Sequence, residues 1–164
     1  MRPIRAAILI LSDKGFRGER EDKCGPALRA LLNGQAEVAS VAILPDERAE
    51  IAAALRKLCD SGEVDVVFTS GGTGFAPRDV TPEATMEVIE RAVPGIPEAM
   101  RARSMQITDR AMLSRAAAGI RGRTLIVNLP GSPKAVTECM EVLLPVLAHA
   151  VETLRGDTGE CART

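Results

Sequence analysis

Residues 69–84 read Thr-Ser-Gly-Gly-Thr-Gly-Phe-Ala-Pro-Arg-Asp-Val-Thr-Pro-Glu-Ala, and Gly71, Gly72 and Gly74 fall within four positions. They follow residues 64–68, Val-Asp-Val-Val-Phe, which read as the end of a buried strand. They precede Thr81-Pro82, a pairing suited to an N-cap and the first residue of a helix. A strand, a turn bare of side chains and a helix N-terminus make an anion site, because backbone N–H groups and the positive end of the helix dipole converge there. Asp79 lies in the same loop. A carboxylate beside a phosphate repels it unless a cation intervenes, so the loop suggests a metal–nucleotide complex. It is neither a dinucleotide fingerprint, since G-x-G-x-x-G fails at Pro77, nor a P-loop.

A second acid, Asp46, immediately precedes a periodic helical pattern. Taken singly, Asp46 reads as an N-cap and Asp79 as a loop residue satisfying nearby N–H groups. Taken together, they are two carboxylates on adjacent strand–helix loops, an arrangement able to hold Mg²⁺ against phosphates. A third loop, residues 128–134, reads Asn-Leu-Pro-Gly-Ser-Pro-Lys. Ser132 is placed to cap the next helix, with Pro133 at its first position. Lys134 then opposes the helix dipole at a cost of about 0.3–1 kcal/mol, which a bound anion removes. Ser132 and Lys134 are therefore candidate phosphate contacts.

Strands are expected at residues 4–11, 38–44, 64–69 and 124–128, and helices at 25–32, 46–59, 82–92, 98–105, 110–117 and 134–154. Residues 13–23 read as a loop, and Pro94 to Pro97 as a break. Pro145 lies inside the last helix, whose apolar stripe resumes in phase, so a kink is expected. Alternating strands and helices imply a three-layer α/β/α sandwich with a mostly parallel central sheet. Residues 1–155 form a single domain and 156–164 a polar tail. Ligands of such sheets bind at the carboxyl ends of the strands. Ser12-Asp13, Asp46, the glycine loop and residues 128–132 all fall there, so four loops at one edge form one site.

These motifs resemble those of the molybdenum-cofactor biosynthesis family, which includes bacterial Mog and MoaB proteins and the G domain of gephyrin. The resemblance spans residues 4–154 and includes Ser12-Asp13, Glu21-Asp22-Lys23, Leu44-Pro45-Asp46-Glu47 and Ser114-Arg115. It implies transfer of AMP from ATP to the phosphate of molybdopterin, with Mg²⁺ as cofactor and ATP as co-substrate. By that resemblance the two essential aspartates fall on Asp46 and Asp79, as catalytic residues and metal ligands. Nucleotide or pterin-phosphate contacts fall on Ser12, Asp13, Ser70, Gly71, Gly72, Thr73, Gly74, Asn128, Pro130, Gly131, Ser132 and Lys134. Ser104, Ser114 and Arg115 occupy the region where the family contacts pterin and terminal phosphate. Also implied are a downstream molybdate-insertion protein and a homotrimer. A MoaB-like binding or scaffold protein is the alternative. Some Mog proteins carry an insertion between the equivalents of Lys134 and His149, where this chain runs straight on.

Composition narrows the remaining classes. The 164 residues carry 21 basic and 22 acidic side chains, a net charge of −1, so no basic surplus points to nucleic acid or membrane. Aromatic residues make up 2%, with no Trp or Tyr, which leaves few stacking platforms for single strands. Cys24, Cys59, Cys139 and Cys161 form no metal-type pair, and Cys59 and Cys139 fall on apolar helix faces as buried thiols. The only histidine, His149, follows the last helix's apolar stripe and reads as structural. Met100, Met105 and Met112 are spaced for packing or a protomer interface. The chain starts directly with a strand and has no bilayer-length apolar run, so a reduced, cytoplasmic protein is expected.

Overall fold

Strand β1 (Arg5–Leu11) shows why this chain layers as it does. Its side chains alternate between faces. Ala6, Ile8 and Ile10 join one buried cluster, and Ala7, Leu9 and Leu11 join another. A strand buried on both faces must be covered on both. The structure is a computed structural model describing residues 2–157. After β1 come α1 (Asp13–Phe16), α2 (Cys24–Leu32), β2 (Glu37–Leu44), α3 (Arg48–Asp60), β3 (Val66–Ser70) and α4 (Thr81–Val88). Then follow β4 (Arg91–Ala92), α5 (Gly95–Met105), a 3-10 turn (Asp109–Leu113), β5 (Ala118–Arg121), β6 (Thr124–Leu129) and α6 (Pro133–Arg155).

The sheet order is β2-β1-β3-β6-β5-β4. Strands β2, β1, β3 and β6 are parallel, whereas β5 and β4 close the far edge antiparallel. Helices α2, α5 and α6 cover one face, through Leu28, Met100, Val136, Met140, Leu143 and Leu147. Helices α3 and α4 cover the other, through Ile51, Leu55, Ala84 and Val88. Phe68 is fully buried at the centre. This is the expected three-layer sandwich. Helix α6 runs unbroken through Pro145, with Val136, Cys139, Met140, Leu143, Leu147 and Val151 buried.

Several local expectations are corrected. Residues 13–23 are not all loop: Ser12 Oγ accepts from Gly15 N at 3.0 Å and caps α1. The Pro94 to Pro97 stretch starts a helix instead of separating two, because a first turn needs no internal N–H donors from its prolines. Helix α4 stops at Val88, and Arg91–Ala92 pairs with β5. Strands β4, at the sheet edge, and β5, next to it, are short and partly exposed, so they carry little periodic signal. Val80 occupies the cap position of α4, and Thr81 is its first residue. Glu47, not Asp46, occupies that position at α3. His149 is exposed instead of packed along the α6 stripe. Met100 is buried at 3% exposure, while Met105 and Met112 are exposed. Cys24, Cys59 and Cys139 are free and buried, and burial pushes the Cys59 thiol up to about 11. Cys161 and the tail from residue 158 lie outside the described residues.

Candidate active site

The glycine loop leaves β3 along a path that a side chain would block. Gly71 has φ +107°, and a Cβ there would lie 2.3 Å from the Leu11 carbonyl oxygen. Gly72 has φ +66°, and its Cβ would lie 2.3 Å from Thr81 Oγ1 and 3.2 Å from Asp46 Oδ1. Both positions therefore require glycine. Thr81 ties the loop down: its N–H donates to Gly72 O at 3.1 Å and its hydroxyl to Gly71 O at 2.9 Å. Farther along, Ala76 N donates to Asp79 Oδ2 at 3.0 Å. Arg115 holds the outer turn, donating to Gly74 O and Asp79 O at 2.7 Å each while pairing with Glu83. Within the described residues, the N–H groups of Gly72, Thr73 and Gly74 have no acceptor.

Asp46 is held differently. Its N–H donates to Asp13 Oδ1, and its Oδ2 accepts from Asp13 N, both at 3.0 Å. The other oxygen, Oδ1, is buried with no partner among the described residues. Burial pushes this carboxyl above its ordinary value, and the negative charges of Asp13 and Asp79 add to the effect. Asp13 goes the other way: the hydrogen-bonded Arg78 guanidinium holds it low. Arg78 reaches Asp13 Oδ2 at 2.6 Å and Glu47 Oε1 at 2.7 Å.

Two cavities flank this loop. One, about 420 Å³, is lined by Ser12, Arg20, Asp22, Lys23, Asp46, Ser70, Gly71, Gly72, Asp79 and Gly131. The other, about 290 Å³, is more apolar and is lined by Thr73, Gly74, Met100, Arg101, Ser104, Arg110, Leu113, Ser114 and Pro130. The glycine loop and the loop after β6 form walls of both. One cavity offers paired carboxylates and the bare N–H of Gly72, and the other a more apolar lining with two arginines beside Thr73 and Gly74. Such a pair can hold a metal-bound polyphosphate beside a second substrate.

Residues 7–149 match the family described as "Probable molybdopterin binding domain". The chain belongs to this family of molybdenum-cofactor biosynthesis proteins. It is 40% identical over 161 residues to the molybdopterin adenylyltransferase of Helicobacter pylori strain J99, spanning 96% of this chain and 91% of that protein. The solved molybdopterin biosynthesis enzyme MoaB of Thermus thermophilus superposes with TM-score 0.88 at 51% identity, covering 93% of this chain and 97% of that one. The tungsten cofactor synthesizing protein MoaB of Pyrococcus furiosus superposes with TM-score 0.86 at 34% identity, covering 94% and 99%.

Within this family fold, the residues singled out by sequence divide into three groups. Ser12, Asp46, Ser70, Gly71, Gly72, Asp79 and Gly131 line the acidic cavity. Thr73, Gly74, Ser104, Ser114 and Pro130 line the apolar one. The rest line neither. Asn128 is fully buried, and its amide donates to Thr69 Oγ1 at 3.1 Å and Thr85 Oγ1 at 2.8 Å while accepting from Ala117 N at 3.1 Å. It locks β6 to its neighbours. Arg115 and Asp13 prop loops. Ser132 caps α6, accepting from Ala135 N at 3.4 Å, and Lys134 stands exposed in the first turn.

Some lining residues are not legible as functional from their own type and position. Arg20 and Lys23 lie in a charged stretch that reads as loop. Arg101 is one of many helical arginines, and only folding turns it to Ser114 O and Ala116 O, at 3.3 and 3.0 Å.

Proposed function

We propose that this protein is a molybdopterin adenylyltransferase. An oxygen of the molybdopterin phosphate bonds to the α-phosphorus of ATP while the bond from that phosphorus to pyrophosphate breaks. Pyrophosphate leaves with the electron pair, and adenylyl-molybdopterin remains. The observation that carries this reading is the buried, unpartnered Asp46 Oδ1, beside Asp79 and a loop of free N–H groups. A buried carboxylate oxygen without a donor is costly unless a cation meets it. The cavity's hard oxygen donors fit Mg²⁺, with Asp46 and Asp79 as its ligands. When bound, Mg²⁺ supplies positive charge to phosphate oxygens.

The chain's own groups do the rest. The N–H groups of Gly72, Thr73 and Gly74 receive phosphate oxygens, and preorganised donors of this kind cost no rearrangement as charge shifts. Ser12 and Ser70 line the acidic cavity with Gly72, while Thr73 and Gly74 face the apolar one, so the row of donors runs from one cavity to the other. Arg20, Lys23 and Lys134 add positive charge around the departing pyrophosphate. The apolar cavity takes the pterin, with Met100 and Leu113 against its ring and Arg101, Arg110, Ser104 and Ser114 toward its polar edge. The shared wall keeps the two substrates in line, replacing a bimolecular encounter by a held geometry.

Pyrophosphate release from Mg-ATP with fresh molybdopterin tests the reaction, with Asp79→Asn alongside. Release by the wild type alone, with adenylyl-molybdopterin found by mass, is expected. Tight pterin binding without release would make the protein a MoaB-like binding or scaffold module. In this reading the product passes to a molybdate-insertion protein. Exposed Met105, Ile107 and Met112 form contacts in a homotrimer, and a monomer by sedimentation would remove that assignment. Three free buried thiols suit the cytoplasm. No helix among the described residues is long and apolar enough to cross a membrane.

A further inference from the structure

Among the described residues, the Arg78 side chain touches two of the loops around the acidic cavity while belonging to a third. Its Nε and Nη2 donate to Asp13 Oδ2 and Oδ1 at 2.6 and 3.1 Å, after β1. Its Nη2 also donates to Glu47 Oε1 at 2.7 Å, after β2. Its own backbone lies in the loop after β3 and adjoins Asp79. Asp13 in turn exchanges two hydrogen bonds with Asp46, using Oδ1 as acceptor and its N–H as donor. Asp46 is therefore aimed by Asp13, and Asp13 is aimed by Arg78.

The charge pattern gives this chain of contacts a purpose. Asp13, Asp46, Glu47 and Asp79 crowd one edge, and four carboxylates left free would repel one another. Arg78 engages both Asp13 oxygens and turns Glu47 aside. Asp13 thus serves as an anchor, and of these four only Asp46 and Asp79 join the cavity lining, where Glu21 and Asp22 from the segment before α2 also stand. We propose that Arg78 is a positioning residue for the cation-binding aspartates, acting on Asp46 through Asp13 and on Asp79 through the chain. This inference rests on the adenylyltransferase reading only for its catalytic consequence.

Stability cannot account for this arrangement. The Arg78 side chain is 54% exposed, and exposed ion pairs contribute little to folding. Its removal therefore leaves a folded protein in which only the aim of Asp46 and Asp79 is disturbed. Lysine is a poor substitute, because a single ammonium lacks the planar fork that spans Asp13 and Glu47 together.

The test compares wild type, Arg78→Ala and Arg78→Lys in the full chain. Electron paramagnetic resonance of Mn²⁺ with α,β-methylene-ATP measures metal affinity without turnover. Arg78→Ala is expected to weaken Mn²⁺ binding by about 10-fold or more, as loss of groups supporting metal ligands does. Arg78→Lys is expected to recover part of that loss. Melting temperature and molybdopterin binding, read by fluorescence, stay at the wild-type level, and pyrophosphate release falls through kcat more than through the molybdopterin KM. Unchanged Mn²⁺ affinity in Arg78→Ala, or no Mn²⁺ binding by the wild type with nucleotide, overturns the proposal. Weakened Mn²⁺ binding in Arg78→Ala beside a wild type that releases no pyrophosphate upholds the positioning role and removes the transferase reading.

Discussion

Two aspartates at opposite ends of the parallel strands are treated in opposite ways. At the amino end, Asp65 accepts from Arg2 Nη2 at 2.9 Å, Arg5 N at 2.9 Å, and Arg155 Nε and Nη2 at 3.0 and 2.8 Å. At the carboxyl end, Asp46 keeps one oxygen buried and bare. Burial pushes both carboxyls up, but at Asp65 the bonds from Arg155 and the Arg5 N–H outweigh it and the net direction is down. At Asp46 burial prevails. The saturated end is a latch joining the N-terminal segment, β3 and α6. The unsaturated end is held ready for charge that comes from outside the chain. One chemical group thus serves stability or function according to whether its partners are built in.

The comparison breaks most visibly at the latch. Arg155→Ala leaves a carboxylate that is only 4% exposed short of its main partner. Loss of one partner of a buried pair costs about 3–5 kcal/mol, so thermal melting should fall by about 10 °C. Molybdopterin and nucleotide affinities, measured below the new transition, should not change. At the other end Asp46→Asn should reduce pyrophosphate release by about 100-fold or more, the scale of losing a preorganised electrostatic group. Gly72→Ala comes next. It forces a side chain into a left-handed conformation and against Thr81 Oγ1, at a cost of about 1–3 kcal/mol, and should weaken nucleotide binding measured by calorimetry.

Two smaller effects sharpen the contrast. Asp65 is held below its unfolded value, so its contribution is present above that value, about 3.9, and is lost as pH falls through the lower folded one. The melting gap between wild type and Asp65→Asn should be constant near neutrality and shrink below about pH 4. Asp46 has the reverse sign: its charged form is disfavoured by folding. Asp46→Asn should therefore melt about 2 °C higher than wild type at neutral pH without metal, while losing turnover. A lower melting temperature would mean that Asp46 is a structural residue like Asp65.

Legibility in sequence followed the same division. The four parallel strands, both covered faces and α6 were readable because burial on a fixed period leaves a direct pattern. Gly71, Gly72, Asp46 and Asp79 were readable because few residue types meet their needs. Strands β4 and β5 carry almost no period in the sequence, since they are only two and four residues long, exposed at β4 and half-buried at β5. The Pro94 to Pro97 stretch misled because proline both ends helices and begins them. Arg78 gives no sign of its role in sequence, since an arginine in a polar loop needs no partner to be explained.

The amino-acid sequence by itself determined the layered α/β architecture, the family and the loops that meet at the carboxyl edge, because periodic burial and glycine-only turns are local demands written in residue type. Tertiary structure alone decided which of the polar residues face a cavity. Asn128 became an internal lock, Asp13 an anchor and Arg115 a prop, while Arg20, Lys23 and Arg101 came to line the cavities. Those assignments depend on partners as many as 65 positions apart, as in the bond from Arg78 to Asp13. A charged side chain's role is set by which distant groups desolvate it or satisfy it, and only the folded chain brings those groups together.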